Sequence, residues 1–180
     1  FNYAFTKGKN CAMLSYQHIG FSYTLKLDIV DFFDSIKSTM LEKYIPTEII
    51  EELLIDGAPR QGLPTSPIIS SIAMIDIDKK ISQIVNSFDQ KIIYTRYADD
   101  LIFSSNDLSS LMEIKKKINF LLNIEGFKLN NSKTRIQSSK NGNRVITGIS
   151  VSEKKISPTR KTLRKLRAAL HKKNTKSAIG

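Results

Sequence analysis

The chain has 180 residues, and its hydrophobic fraction of 41% is sufficient to bury the core of one domain. A single cysteine excludes an internal disulfide, and no apolar stretch reaches transmembrane length, so we expect a cytoplasmic protein without a membrane partner. The net charge of +11 is concentrated at one end, because residues 154–180 hold ten of the 28 Lys and Arg and none of the 17 Asp and Glu. Such a block suits a phosphate backbone, although a solvated or disordered end is an equally open interpretation.

The first predicted elements are a strand, a helix and a loop. Residues 23–29 alternate apolar and polar side chains, which predicts a strand that ends at Asp28. Residues 38–55 are helix-like, with acidic residues on one side. The stretch 57–67 contains two Gly and three Pro, which predicts a loop of defined shape.

A second helix, a hairpin and a third helix are predicted next. Ser66 is the expected N-cap of the second helix, with Pro67 at its first position and apolar residues recurring as far as Ile84. An apolar hairpin is centred on residues 97–100, and the third helix covers residues 108–123.

The last third of the sequence predicts a loop with a short strand in GFKLNNSKTRI and another strand in RVITGISVS. A final basic helix is expected to start with Ser157 as N-cap and Pro158 at the first position. Its apolar face is formed by Leu163, Leu166 and Leu170. Because strands and helices interleave and the hairpin is antiparallel, the predicted fold class is α+β.

Three carboxylates stand where apolar strands meet turns. Asp28 ends the first predicted strand, and Asp99 and Asp100 lie side by side in the hairpin. If the two strands are neighbours in one sheet, the three side chains converge where divalent cations can bind and promote phosphoryl transfer. Acidic residues at strand ends are common, so an ordinary polar turn remains open on spacing alone.

Four stretches in a fixed order resemble the motifs A, B, C and D of reverse transcriptases: LKLDIVDFF, RQGLPTSP, YADD and GFKLNNSKT. The resemblance implies a right-hand polymerase palm with a ferredoxin-like βαββα core that copies RNA into DNA. It also implies that Asp28, Asp99 and Asp100 bind two Mg²⁺ ions, which Mn²⁺ could replace, and that the carbonyl of Ile29 is a backbone ligand. We further expect Asp99 to bridge both ions and Asp100 to contribute more weakly.

The same resemblance implies that Phe33, Arg60, Gln61 and Gly62 bind the incoming nucleotide. Phe33 occupies the position of an aromatic steric gate that excludes a 2′-OH, whereas Phe32 is expected in the core. Gly62 permits close approach of the backbone, and Arg60 is expected near phosphate or template.

Further positions carry implied roles in catalysis and in nucleic-acid contact. Lys133 matches the motif D lysine, which would protonate or screen the leaving pyrophosphate. Tyr97, Thr147 and Gly148 are expected at the primer or template. The basic helix adds three expected contacts to nucleic acid: Arg164, Lys165 and Arg167.

Two stretches resemble bacterial retron-type enzymes in particular. FTKGKNCAMLSYQHIG matches their Asn-Ala-x-x-His signature at His18, although Leu14 and Ser15 replace the Asn and Ala. RVITGISVS matches their Val-Thr-Gly motif at Thr147 and Gly148. The resemblance implies that His18 takes part in recognition of a structured non-coding RNA. Abortive-infection and other defence-associated reverse transcriptases are the alternative subtype.

The function that these resemblances imply is RNA-directed DNA synthesis by two-metal nucleotidyl transfer, in a retron or in anti-phage defence, in the bacterial cytoplasm. The expected partners are an RNA template, a DNA primer or product, deoxynucleoside triphosphates and a cognate non-coding RNA. Two alternatives stay open: untemplated or protein-primed DNA synthesis, and a non-catalytic RNA-binding palm module.

We expect three parts along the chain: partial fingers over residues 1–22, a palm over 23–152, and the basic start of a thumb over 153–180. Because the chain begins with Phe1 and little sequence precedes motif A, we expect part of a longer protein. Alone, it is expected to be weakly active or inactive.

Overall fold

The structure is a computed structural model, and it describes residues 1–171 of the chain. Short 3₁₀ turns lie at Ser38–Met40 and Ser139–Asn141. In chain order, the helices and strands are α1 (Cys11–Tyr16), β1 (Tyr23–Asp28), α2 (Thr47–Leu53), α3 (Ser66–Ala73), α4 (Ile75–Asn86), β2 (Ile92–Tyr97), β3 (Asp100–Ser105), α5 (Leu108–Ile124), β4 (Arg135–Ser138), β5 (Arg144–Ile146), β6 (Ile149–Val151), β7 (Ile156–Pro158) and α6 (Arg160–His171).

Four strands form the main sheet, in the order β2-β3-β1-β4, and every neighbouring pair is antiparallel. The chain crosses from β1 to β2 through α2, α3 and α4, and from β3 to β4 through α5. This strand order with two helical crossovers is the ferredoxin-like βαββα arrangement expected of a polymerase palm. The α+β prediction is therefore confirmed.

One face of the main sheet is covered by α4 and α5. Side chains alternate between the two faces of a strand, so every second strand residue enters this helical layer. The larger hydrophobic cluster lies between the sheet and the helices. Its members include Leu25, Leu27, Tyr94, Leu101 and Phe103 from the strands and Leu111, Ile114, Ile118 and Leu122 from α5.

The opposite face of the main sheet carries a smaller layer, which is built from α1 and the antiparallel sheet β5-β6-β7. A second cluster holds this layer in place, and its buried members are Leu14, Ile102, Ile146 and Val151. The strand register pairs Asp28 with Asp100, and Asp100 with Tyr97. Directly paired residues share a face, and so do residues two apart, so these three side chains lie on the same face as Ile102.

The predicted helix over residues 38–55 is wrong. That stretch contains the 3₁₀ turn Ser38–Met40 and then the short helix α2, which begins directly after Pro46. Proline lacks the N–H that a helix interior requires, so the helix cannot extend back through this residue.

The predicted helix from Ser66 to Ile84 is two helices, α3 and α4, separated at Met74. The predicted N-cap is also wrong, because Thr65 is the residue before the helix. The Ser66 hydroxyl instead donates to the carbonyl of Arg60 at 2.6 Å, which ties the preceding loop to the helix.

Two predictions near the C-terminal end need correction, whereas α5 agrees with its predicted span. The stretch RVITGISVS is a hairpin of β5 and β6 rather than one strand. Ser157 and Pro158 belong to β7, and α6 begins only at Arg160. Thr159 takes the capping role, since its Oγ1 accepts from the N–H of Thr162 at 3.2 Å.

No helix within residues 1–171 is long and apolar enough to cross a membrane. The part of the predicted thumb from Lys172 to Gly180 lies outside the described residues. The three domain boundaries stay predictions, and β7 continues the small sheet beyond residue 152.

Candidate active site

Three carboxylates meet at the end of the main sheet. Asp28 is the last residue of β1, and Asp100 is the first residue of β3, directly opposite it in register. Asp99 lies in the tight turn between β2 and β3, beside Ala98, whose φ of +53° is in the left-handed region. One oxygen from each carboxylate lies within 4.8 Å of the others. The structure therefore brings together the three acids that the sequence singled out.

Burial and mutual repulsion both act on this cluster. Burial raises the pKa of Asp99, and the charge of Asp28 adds to that shift. Burial also raises the pKa of Asp100, an effect that the ammonium of Lys26 opposes. Three carboxylates held this close favour a state in which positive charge stands among them.

Two lysines supply part of that charge. Lys26 Nζ lies 2.7 Å from Asp100 Oδ2, and Lys133 Nζ lies 3.2 Å from Asp28 Oδ1. The hydrogen bond to Asp28 raises the pKa of Lys133, so its ammonium stays protonated. Among residues 1–171, Asp99 makes no ion pair.

The position of Lys133 is set by the turn that precedes it. The Asn130 N–H donates to the carbonyl of Asp28 at 2.8 Å. Its side-chain Oδ1 accepts from the N–H groups of Ser132 and Lys133 at 3.1 and 3.3 Å. Sequence reasoning missed the role of Asn130, although two Asn followed by Ser are a typical turn signal.

The donor set fits a hard divalent cation. All three side chains offer oxygen atoms, which are the ligands that Mg²⁺, Mn²⁺ and Ca²⁺ prefer. The backbone of Ile29 lies beside the cluster, because its N–H donates to the carbonyl of Asp99 at 3.2 Å. The role of the Ile29 carbonyl as a ligand stays a prediction.

The two phenylalanines after Asp28 differ in burial. Phe32 is 5% exposed, and its ring lies 6.1 Å from that of Phe127, which confirms the expectation that it belongs to the core. Phe33 is partly buried and packs against the rim of the same core. Its role as a steric gate stays a prediction.

The loop after α2 presents the other residues expected at the nucleotide. Arg60 is paired with Asp34 at 2.8 Å and with Asp56 at 3.0 Å. Gln61 and Gly62 are exposed, and Gly62 has a φ of +98°, a conformation that favours glycine. These ion pairs compete with contact between Arg60 and a phosphate or template.

His18 does not reach the surface, and its part in RNA recognition stays a prediction. Its side chain is fully buried and bonds to Ser104 Oγ at 2.8 Å and Thr95 Oγ1 at 2.7 Å. Burial lowers the pKa of His18 to about 3. The ring is a structural link between the segment after α1 and the main sheet.

A buried arginine joins the same network. Arg144 is 1% exposed, and it donates to Thr24 Oγ1 and to the carbonyl of His18, both at 2.8 Å. Burial lowers the pKa of Arg144. The β5–β6 hairpin, β1 and the segment around His18 are therefore tied together beneath the surface.

The two retron-like stretches are in contact. Thr147 and Gly148 form the turn between β5 and β6, with φ values of +44° and +81°. Ser15 Oγ donates to the carbonyl of Ile146 at 3.1 Å and lies 3.3 Å from Thr147 Oγ1. Tyr97 packs against this layer on the carboxylate face. The residues Arg164, Lys165 and Arg167 are exposed on α6.

The βαββα sheet with a carboxylate cluster at its end defines this chain as a polymerase palm. Residues 1–157 match the family described as reverse transcriptase (RNA-dependent DNA polymerase), and the chain belongs to that family.

Curated relatives place the chain in the retron-type group, as predicted. The retron Ec73 reverse transcriptase of Escherichia coli is 33% identical, with 83% of this chain and 54% of the relative covered. The retron Ec86 reverse transcriptase of Escherichia coli is 26% identical, with 95% of this chain and 55% of the relative covered. The retron Mx65 reverse transcriptase of Myxococcus xanthus is 28% identical, with 94% of this chain and 45% of the relative covered. The chain thus spans about half the length of these relatives.

Solved structures agree on the fold. Apo telomerase from Candida tropicalis, truncated from the C-terminal domain, matches with a TM-score of 0.62 at 16% identity, covering 83% of this chain and 38% of that one. Telomerase from Candida albicans in complex with a TWJ fragment of telomeric RNA matches with a TM-score of 0.62 at 13% identity, covering 82% and 32%.

Proposed function

We propose that this chain is the catalytic palm of a retron-type, RNA-directed DNA polymerase that uses two Mg²⁺ ions. The observation that carries the proposal is the convergence of Asp28, Asp99 and Asp100 within 4.8 Å in a chain of the reverse transcriptase family. A pure binding module has no use for a half-buried anionic cluster beside a phosphate backbone, since such a cluster repels its ligand.

Asp28, Asp99 and Asp100 would hold the two ions. Among the described residues, Asp99 is the acid of the three that is paired with neither Lys26 nor Lys133, so its carboxylate is free for the ions. When bound, the ions lower the pKa of the primer 3′-OH and stabilise charge on the leaving pyrophosphate.

The surrounding side chains orient the reactants. Lys133 Nζ carries a proton that it donates to a pyrophosphate oxygen. The partly buried ring of Phe33 excludes a 2′-OH, and this selects deoxynucleotides. Gln61 and Gly62 approach the nucleotide through an exposed loop, and Tyr97 supports the primer end.

The substrates and partners follow from the same assignment. We propose an RNA template with a DNA primer or product, deoxynucleoside triphosphates, and a cognate structured RNA. The exposed basic residues of α6 supply contacts to phosphates. The α1 surface and the Thr147–Gly148 turn, which touch each other, form one candidate surface for the cognate RNA. A role in a bacterial retron or in anti-phage defence, in the cytoplasm, completes the proposal.

Primer extension by the whole protein on an RNA template tests the proposal. We expect DNA synthesis with Mg²⁺ and dNTPs, and a loss on the order of a thousandfold when Asp99→Asn and Asp100→Asn are combined. Asp89→Asn makes the same chemical change at an exposed loop residue and should leave the rate unchanged.

Other outcomes of this assay point elsewhere. Primer extension by the double variant at the wild-type rate would contradict the assignment of Asp99 and Asp100 as metal ligands. Equal incorporation of rNTPs would contradict the gate at Phe33. Product that forms without added template would favour untemplated or protein-primed synthesis, and RNA binding without synthesis would favour a non-catalytic module.

A further inference from the structure

A buried ion pair lies on the helix face of the main sheet, behind the carboxylates. Arg96 in β2 is 1% exposed, and Asp78 in α4 is 7% exposed. The Arg96 guanidinium donates two hydrogen bonds to the Asp78 carboxylate, from Nε at 2.9 Å and from Nη2 at 2.8 Å. The hydroxyl of Tyr94 donates to the same carboxylate at 2.6 Å. The mechanism described above uses none of these three side chains.

The guanidinium has a second task at the catalytic turn. Its Nη1 donates to the carbonyl of Ala98 at 3.2 Å. Ala98 has a φ of +53°, a conformation that costs an alanine about 1 kcal/mol or more. The next carbonyl, that of Asp99, accepts from the N–H of Ile29. Two successive carbonyls of the turn are therefore held, one by the helical layer through Arg96 and one by the end of β1.

This arrangement fixes the direction of two carboxylates. Asp99 and Asp100 follow Ala98 directly, so rotation of the peptide at Ala98 moves both side chains relative to Asp28. The guanidinium is itself immobile, because Asp78 holds it at two nitrogens and α4 is packed in the core. An arginine can make both contacts at once because its planar fork has five donors, whereas a lysine ammonium is a single point.

We propose that Arg96, held by Asp78, is a positioning residue that sets the geometry of Asp99 and Asp100 for divalent cations. It acts through the Ala98 carbonyl and touches neither substrate nor metal. This inference rests on the proposed function, since it concerns the same carboxylates. It goes further in assigning a share of the metal affinity to an ion pair on the opposite face of the sheet.

Binding of Mn²⁺, followed by electron paramagnetic resonance on the purified protein, tests the inference without any polymerase assay. Arg96→Lys keeps a positive charge opposite Asp78 but cannot also reach Ala98. We expect its Mn²⁺ dissociation constant to rise by about tenfold, which is typical when an outer partner of a metal ligand is lost. The Mg²⁺ concentration that half-activates primer extension should rise by a similar factor.

Two further variants distinguish a loss of metal affinity caused by displaced carboxylates from one caused by general destabilisation of the fold. Asp78→Leu combined with Arg96→Met removes both buried charges, so neither charge is left unpaired, and the one group that loses its acceptor is the neutral Tyr94 hydroxyl. This double variant should still lose about tenfold in Mn²⁺ affinity. Ile118→Val, in the core of α5, weakens packing far from the turn and should leave the affinity at the wild-type value.

Each result decides one question. Wild-type Mn²⁺ binding that does not depend on Asp99 and Asp100 would contradict the proposed function itself. Binding that depends on those acids but stays within twofold in Arg96→Lys and in the double variant would overturn the role of Arg96. An equal loss in Ile118→Val would also overturn it, because the effect would then be one of general stability.

Discussion

At the scale of single residues, the carboxylate cluster is balanced by two ammonium groups placed from different elements. Lys26 comes from β1, two residues before Asp28, and therefore shares its face of the sheet. Lys133 comes from the turn before β4. Asp100 is 17% exposed at its side chain where Lys26 meets it, so their attraction is only partly screened by water.

Lys26→Met should raise the affinity for Mg²⁺ and lower the stability of the metal-free protein. Without Lys26, the three acids repel one another more strongly, and a divalent cation relieves more repulsion when it binds. Thermal unfolding with and without Mg²⁺ measures both effects, since metal that binds the folded state raises the melting temperature.

Lys43→Met is the matched control for that experiment. Lys43 is also ion-paired, with Asp76 at 2.9 Å, but it lies on the surface away from the cluster. Its loss should leave the Mg²⁺-induced shift unchanged. A smaller shift in Lys26→Met than in the wild type would mean that Lys26 orients Asp100 for the metal rather than competing with it.

Most residues of the candidate site could be predicted from the sequence, but the residues that hold them in position could not. The three acids were predictable because strand alternation and the order of four motifs both marked them. Lys26 could have been found from the same alternation. Asp78 stands on the apolar stripe of α4 beside Ile77 and Ile81, which signals a buried partner, but only the fold shows that this partner is Arg96.

At the scale of elements, the link between α1 and the main sheet depends on a neutral histidine. His18 bonds to one hydroxyl on β2 and another on β3, and burial lowers its pKa to about 3. The unfolded chain binds a proton at this residue below about pH 6.5. Below that pH the unfolded state therefore holds more protons than the folded state, and stability falls as the pH drops.

We predict a loss of about 2 kcal/mol in the free energy of unfolding between pH 7 and pH 5 from this residue alone. Urea unfolding at the two pH values measures it, and His18→Gln should remove that part of the difference. His171→Gln is the control, because this other histidine of the chain is exposed at the end of α6. Equal pH dependence in wild type and His18→Gln would contradict the assignment.

Element boundaries were less predictable than the elements themselves. Pro46 marked a break that the helix pattern over 38–55 concealed. No Gly or Pro announces the break at Met74, where the chain turns between α3 and α4. The β5–β6 hairpin was concealed because Ile146 and Ile149 flank Thr147 and Gly148 with an apolar pattern that also fits one strand. Only the positive φ values of Thr147 and Gly148 distinguish a hairpin of two strands from a single strand.

At the scale of the whole molecule, the excess of positive over negative charge is concentrated in residues 154–180. Most of the described part of this segment is α6, whose basic residues are exposed while Leu163 and Leu166 are half-buried. Replacing Arg164, Lys165 and Arg167 together by Gln should weaken RNA binding at low salt. It should also reduce the slope of log affinity against log salt by about two, since each lost phosphate contact removes about 0.7 from the slope.

Three lysines on another helix provide the control. Changing Lys115, Lys116 and Lys117 of α5 to Gln removes the same charge from a helix that packs on the far face of the sheet. If RNA follows α6, these changes should leave the salt slope within experimental error of the wild type. Filter binding across a salt series measures all three proteins, and equal slopes would contradict a nucleic-acid role for α6.

The pairing of Asp28 with Asp100 also limits how this sequence can vary. Neighbouring residues of β1 point to opposite faces, so one residue inserted between Leu25 and Asp28 would turn the acid into the helical core and an apolar side chain into the cleft. Substitutions along β1 can accumulate one at a time, but changes in its length cannot. In descendants of this chain, the spacing from the buried residues Leu25 and Leu27 to Asp28 should therefore persist after most of the surrounding residues have been substituted.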